Sequence, residues 1–168
     1  INVYGTLRDK KSLKFFNKRE INSIFTDIDA EEIESFTGLF KELNPDFVVN
    51  CIGIIKQRNI KNEILTMIPI NSLFPHKIKE ICNFYNTKLI QISTDCVFSG
   101  LKGNYKENDF ADASDLYGIS KKLGELNDNN SLTIRTSIIG KEIQNKKSLL
   151  EWFLSQSKTV YGLSLIHI

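Results

Sequence analysis

The sequence predicts an α/β fold built on a doubly wound parallel sheet. Apolar runs of strand length alternate with amphipathic segments of helical period along the chain. The run DFVVNCIG (46–53) is apolar on both alternating sets of positions, the pattern of a parallel strand covered on both faces. Polar residues with chemical potential, in the segments 50–53, 93–95 and 135–137, all fall where an apolar run ends. Ligands of open parallel sheets gather at those carboxyl ends.

Taken in order, INVYG (1–5) predicts a first strand and TLRDKK (6–11) a basic loop. Residues 14–18 form a short helical or irregular piece, and INSIFTDI (21–28) a second strand closing in an acidic turn. Asp29 can cap a helix over 30–43, with Ile33, Phe36, Leu39 and Phe40 at helical spacing. Asn44 and Pro45 stop it. Residues 54–64 follow DFVVNCIG as a loop or weak helix. The next helix spans 71–85, with Leu73, Ile78, Ile81 and Cys82 inward. A central strand covers 88–93, and a polar, glycine-containing loop over 100–114 suits a substrate-facing position. A helix over 115–126, a strand over 131–136 and an amphipathic helix over SLLEWFLSQ (148–156) complete the pattern.

With 168 residues the chain is long enough for one α/β core and short for two domains. A formal net charge of +2 creates no demand for nucleic acid or an anionic membrane surface. No apolar run reaches the length of a membrane span, and no signal-peptide pattern opens the chain. Cys51, Cys82 and Cys96 are far apart in apolar surroundings, which predicts core thiols in a reducing compartment, the cytoplasm. No cluster has metal-ligand spacing, so no metal site is expected.

The chemistry centres on Tyr117 and Lys121, which four residues of helical spacing put on one face. A tyrosine of ordinary pKa, about 10, is roughly 0.1% ionised at neutral pH, and bringing it to about 7 takes roughly 4 kcal/mol. Lys121 can favour the tyrosinate by charge, while a hydroxyl from Ser93 or Thr94 orients a carbonyl oxygen beside the phenol. Together these groups would protonate a ketone oxygen as hydride reaches its carbon. Tyrosine and lysine four apart also occur on many amphipathic helices, so the pair gains meaning from its context.

That context is an ordered set: TDI (26–28), VVNCIGII (48–55), NSLFPH (71–76), ISTDCVFSG (92–100), YGISK (117–121) and RTSIIG (135–140). The set resembles the extended short-chain dehydrogenase/reductase family, and within it the dTDP-4-dehydrorhamnose reductase branch of sugar-nucleotide reductases. The resemblance implies a Rossmann fold, NADPH or NADH as cofactor, and reduction of a 4-keto-6-deoxy nucleotide sugar in surface polysaccharide synthesis. By it, Thr94 is the catalytic hydroxyl, Tyr117 the proton donor, and Lys121 the residue that holds the nicotinamide ribose and lowers the tyrosine pKa. Asp27 and Ile28 would meet the adenine side. Cys51, Ile52 and Gly53 would line the cofactor's path, with Asn71 behind them. Thr94 and Asp95, with Arg135, Thr136 and Ser137, would face the substrate.

Each position also has a plain structural role open to it. Asp27 can cap the next helix, Gly53 can be a turn, Asn71 can be an N-cap, and Arg135 can be a surface ion-pair partner. Lys56, Gln57 and Arg58 fit a solvated loop, His76 a partly exposed helix position, and His167 a doubtful tail. Thr6 and Arg8, with Lys10 and Lys11, favour the 2′-phosphate of NADPH, whereas Asp9 keeps NADH open.

The chain begins where the family's second strand begins and stops resembling it after Gly162. The expectation is therefore a partial NAD(P)-binding domain over 1–162, truncated at both ends, with a tail over 163–168. A nucleotide-sugar epimerase or dehydratase is the enzyme alternative; Asp95 is followed by Cys96 and not by a second carboxylate, which disfavours a dehydratase. A non-catalytic, cofactor-binding regulatory subunit is the other, disfavoured by the joint presence of Thr94, Tyr117 and Lys121. The nucleotide, the sugar and a possible homodimer stay open.

Overall fold

The computed structural model of the protein describes residues 1–55, 62–142 and 149–159. Lys56, Gln57, Arg58, His167 and the expected tail lie outside the described residues. Two parallel sheets form: a two-stranded one from β1 (Gly5–Thr6) and β2 (Ile24–Phe25), and a three-stranded one in the order β3 (Phe47–Asn50), β4 (Lys88–Thr94), β5 (Ser131–Thr136). The register pairs Asn50 with Gln91 and Thr94 with Thr136, so the carboxyl ends of β4 and β5 finish side by side.

The first sheet is shorter than the sequence predicts. Pairing starts only at Gly5, whose N–H donates to the Ser23 carbonyl at 2.8 Å, so the strand expected over 1–5 is confined to its last residue and Thr6. The strand expected over 21–28 shrinks because Asn17 and Glu20 form a capping box, winding Lys18–Ile21 into a single helical turn, α1. Asp29 caps a turn, accepting from the Glu31 N–H at 3.0 Å; the helix proper, α2, runs over Glu34–Leu43 and not from residue 30. Its Phe36 and Phe40 are buried, and Asn44 ends it in the left-handed conformation at φ 42°, a position asparagine tolerates.

Between β3 and β4 the helical run is longer than 71–85. It comprises α3 (Glu63–Met67), a π-helical turn (Ile68–Leu73) and α4 (Phe74–Phe84). The wide turn changes which side chains face inward: Leu73 is 51% exposed, and Phe74 takes the interior place expected for it. Phe74 packs with Phe36, Phe40, Ile70, Ile78, Cys82, Leu89 and Leu126 in the main core. That core covers one face of the three-stranded sheet. On the other, Phe47, Val49, Leu132 and Ile134 are 40–61% exposed, so the covering of DFVVNCIG on both faces is not realised among the described residues.

Helix α5 (Leu116–Leu123) packs closely on the π turn, and a glycine marks the contact. A Cβ on Gly124 would stand 1.9 Å from the Asn71 carbonyl oxygen. The final helix, α6, spans Leu149–Leu154. The cysteines divide: Cys82 is buried, with burial pushing its thiol up to about 12, whereas Cys51 and Cys96 are exposed. The expectation of three core thiols fails for those two because each follows the end of a strand, where the sheet no longer covers it.

Candidate active site

Strand β4 delivers two hydroxyls, and strand geometry separates them. Successive side chains point to opposite faces, so Ser93 and Thr94 cannot serve one site together. Ser93 turns to the helix-covered side and donates to Glu125 Oε1 at 2.9 Å. Thr94 stands at the strand end and accepts from the Cys96 N–H at 3.2 Å, and its hydroxyl acts on the Tyr117 phenol in the sense that lowers its pKa. Its hydroxyl also donates to Asp95 Oδ1 at 3.2 Å. Of the two hydroxyls, that of Ser93 is thus engaged on the helix-covered side by Glu125, and that of Thr94 lies on the opposite face.

Helix α5 is aimed by its cap. Asp115 accepts from the backbone N–H groups of Tyr117 and Gly118 at 3.1 and 3.3 Å, fixing the first turn. A Cβ on Gly118 would lie 2.4 Å from the Cys96 carbonyl oxygen, so this glycine permits the helix to approach the β4 end. Lys121 is buried, and its ammonium donates to the Ile92 carbonyl at 2.8 Å. Burial lowers the Lys121 pKa, with the Glu125 charge opposing that. The Tyr117 pKa is raised, chiefly by burial and against the Thr94 hydrogen bond. The expected lowering by Lys121 is not what prevails here: desolvation is the largest influence on the phenol, and the lysine's ammonium is directed at the Ile92 carbonyl.

Asn71 is no helix N-cap. It lies inside the π turn, 1% exposed, where its Oδ1 accepts from the Ile54 N–H at 2.8 Å and its Nδ2 donates to the Ile54 carbonyl at 2.9 Å. The amide thus imitates a strand partner for the segment after β3. It also reaches Ser120 Oγ at 3.0 Å, linking that segment to α5. Ser72 donates to the Ser120 carbonyl at 2.8 Å, a second tie. Gly53 lies in the same corner: a Cβ there would be 3.4 Å from Asn71 Oδ1 and 3.5 Å from Lys121 Nζ. Cys51 is exposed and Ile52 half-buried beside it.

The other expected residues are more scattered. Arg8 and Asp27 are both exposed at the ends of the β1–β2 pair, brought together by the Ile28 N–H bond to the Leu7 carbonyl at 3.2 Å. Asp27 adopts φ 63°, accepts from the Thr26 hydroxyl at 3.0 Å and pairs with Lys10 at 3.4 Å. Ile28 packs against the main core. Thr136 stands beside Thr94 in register, and Ser137 is exposed past the end of β5. Arg135 instead makes a two-pronged ion pair with Glu125, at 2.8 and 2.7 Å. His76 is exposed, with Nε2 2.8 Å from the Leu123 carbonyl oxygen.

Above the strand ends, residues 98–113 form a loop closed by its own side chains. Asp112 accepts from the Ser99 N–H and hydroxyl at 2.8 and 2.7 Å, and from the Tyr105 hydroxyl at 3.2 Å. The Ser99 bonds, the N–H first, hold its carboxyl below the usual range. Phe98 and Tyr105 stack with centroids 4.4 Å apart. Among the described residues no group of three or more His, Cys, Asp or Glu side chains converges as metal ligands do.

Sequence inspection missed Glu125 and Ser120, and helical spacing held a signal for both. Glu125 is four residues beyond Lys121 and so continues its helical face, while Ser120 lies on the side turned to the π turn. Asn50 was singled out at its strand end, but its buried partner Gln91, joined to it at 2.7 Å, was missed; polar residues inside apolar strands mark such pairs.

Among known proteins, the dTDP-4-dehydrorhamnose reductase of Aggregatibacter actinomycetemcomitans is 26% identical over 102 residues, 60% of this chain and 35% of that protein. Spore coat polysaccharide biosynthesis protein SpsK of Bacillus subtilis is 34% identical over 104 residues, 58% of this chain and 36% of that protein. The chain thus spans about a third of the length of these curated relatives. In fold it is similar to the dTDP-4-dehydrorhamnose reductase of Bacillus anthracis in complex with NADP, with a TM-score of 0.62 and 23% identity over 85% of this chain and 57% of that one. A family model described as RmlD substrate binding domain matches residues 8–167, and the chain belongs to that family.

Proposed function

We propose that this chain supplies the catalytic strand ends of an NADPH-dependent reductase acting on a 4-keto-6-deoxy nucleotide sugar, in the synthesis of a surface polysaccharide. The observation that carries this is the seating of α5, which bears Tyr117 and Lys121, against the end of β4, which bears Thr94: Gly118 lets the helix approach Cys96, and Lys121 donates to the Ile92 carbonyl. Tyr117, protonated at neutral pH as an ordinary tyrosine is and with its pKa raised further by burial, is a proton donor to the oxygen that becomes the new hydroxyl. Thr94 holds that oxygen against the phenol. The cofactor supplies the hydride.

The corner formed by Gly53, Asn71 and Lys121 fits a dinucleotide. Bare glycine backbone leaves room for close approach, and the lysine's remaining donors suit a ribose hydroxyl. Arg8 and Lys10, exposed next to Asp27, favour the 2′-phosphate and hence NADPH. The B. anthracis relative's NADP complex supports the same choice. A nucleotide-linked substrate and unpaired thiols suit the cytoplasm.

The test is NADPH oxidation by the complete reading frame with dTDP-4-dehydrorhamnose and, in parallel, a UDP-linked 4-keto sugar. Turnover on one of them that drops about a thousandfold in Tyr117→Phe, roughly 4 kcal/mol of barrier, is the expected result. Tight NADPH binding without turnover on either sugar would overturn the proposal and point to a cofactor-binding regulator.

A further inference from the structure

Resting on that proposed reductase, we infer that Glu125 and Arg135 are positioning residues. Their ion pair straps the 98–113 loop to the strand that carries Thr94, and so sets the pose of the sugar nucleotide without touching the cofactor.

Four elements meet at this pair. Glu125 follows α5 directly, so its carboxylate is fixed relative to Tyr117 and Lys121. Its Oε1 accepts from Ser93 Oγ at 2.9 Å and Arg135 Nε at 2.8 Å, and its Oε2 accepts from Arg135 Nη2 at 2.7 Å. Ser93 precedes Thr94 on β4 and pairs in register with Arg135 on β5. The remaining prong of the guanidinium goes to the loop, where Nη1 donates to the Glu107 carbonyl at 3.1 Å. The central carbon of the guanidinium lies over the Phe98 ring, 5.0 Å from its centroid, and that ring stacks in turn on Tyr105.

Arg135 therefore has its fork on Glu125, its outer nitrogen on the loop backbone and its charged centre over an aromatic ring. That arrangement explains why arginine is needed: a lysine offers one point charge, with neither the planar fork nor the stacking surface. Both side chains are largely withdrawn from water, 24% and 15% exposed, so the pair is less screened than a surface one. The loop is fastened elsewhere by Lys122, which donates to the Ala111 carbonyl at 2.6 Å, and by the Ala113 N–H bond to the Val97 carbonyl at 2.9 Å. Those ties hold its two flanks. Glu107 lies between them, and Arg135 holds the middle.

The experiment uses the complete reading frame carrying Arg135→Lys, with Glu125→Gln as a milder second variant that keeps size and acceptor oxygen. Amide exchange across 98–113 is followed by mass spectrometry, and KM is measured separately for NADPH and the sugar nucleotide. Expected are about tenfold faster exchange in the loop with α5 unchanged, a sugar KM raised about tenfold, and an NADPH KM within twofold of wild type. Equal rises in both KM values, unchanged loop exchange, or faster exchange throughout the chain would each overturn the inference. The exchange measurement needs no turnover. A wild type inactive on every 4-keto sugar would thus sink the reductase proposal alone, and loop exchange would still decide whether the strap exists.

Discussion

The corner where α5 meets the π turn and the rim where β1 meets β2 hold their polar groups in opposite ways. In the corner Ser120 is 0%, Asn71 1% and Lys121 8% exposed, and each has a hydrogen-bond partner. At the rim the Lys10–Asp27 pair is 74% and 64% exposed, and the strands it joins are two residues long. An unsatisfied group in the corner would bear its full desolvation cost, whereas one at the rim is rehydrated at once. The proposed chemistry sits in the part of the chain that tolerates no displacement, and the proposed cofactor selectivity sits where water screens every charge.

Two glycines break that comparison most directly. Alanine at Gly124 must push its methyl into the Asn71 backbone, where the added carbon would stand 1.9 Å from oxygen. Overpacking of this kind costs about 3 kcal/mol. Gly38, on the exposed side of α2, has nothing within 4 Å of an added Cβ, so Gly38→Ala should stabilise the helix by about 0.5–1 kcal/mol. Chemical denaturation of both variants in the complete reading frame checks the pair. Equal effects would mean that the packing of α5 on the π turn does not limit stability.

How much of this was legible follows the same division. The Tyr117–Lys121 face and the strand that carries Thr94 were legible because both rest on local periodicity, four residues on a helix and two on a strand. The link between Glu125 and Arg135 was not, since it depends on the register that sets Ser93 opposite Arg135, and no local pattern encodes register. The burial of Asn71 was hidden for another reason. Asparagine before an apolar run reads as an N-cap, and only the π turn places it mid-helix to serve the Ile54 backbone. Extent was misjudged at β1 and β2, where apolar residues suggested strands longer than their partners could pair.

The 98–113 loop lies between the two extremes, and acid separates it from the corner. Asp112 is the acceptor that closes it, and its folded pKa is depressed below the ordinary 3.8. A depressed carboxylate contributes stability that is present above its unfolded pKa and lost as pH falls through the folded one. Exchange of the Ser99 amide should therefore stay slow at neutral pH and quicken below about pH 3.8, with Asp112→Asn already fast at neutral pH. Loss of protection in α5 at the same pH would show that the loop does not open independently.

The smallest effect belongs to the rim. Asp27→Asn removes the charge that faces Lys10 but keeps an oxygen for the Thr26 hydroxyl and a residue that accepts φ 63°. Exposed ion pairs are worth at most about 1 kcal/mol, so the unfolding free energy from chemical denaturation should fall by less than about 1 kcal/mol. The same change relieves the repulsion between Asp27 and a 2′-phosphate, so NADPH should bind somewhat better relative to NADH. A stability loss above about 1.5 kcal/mol would instead mean that the β1–β2 rim is held as firmly as the corner. The separation between a rigid, proposed catalytic edge and a solvent-screened rim would then fail.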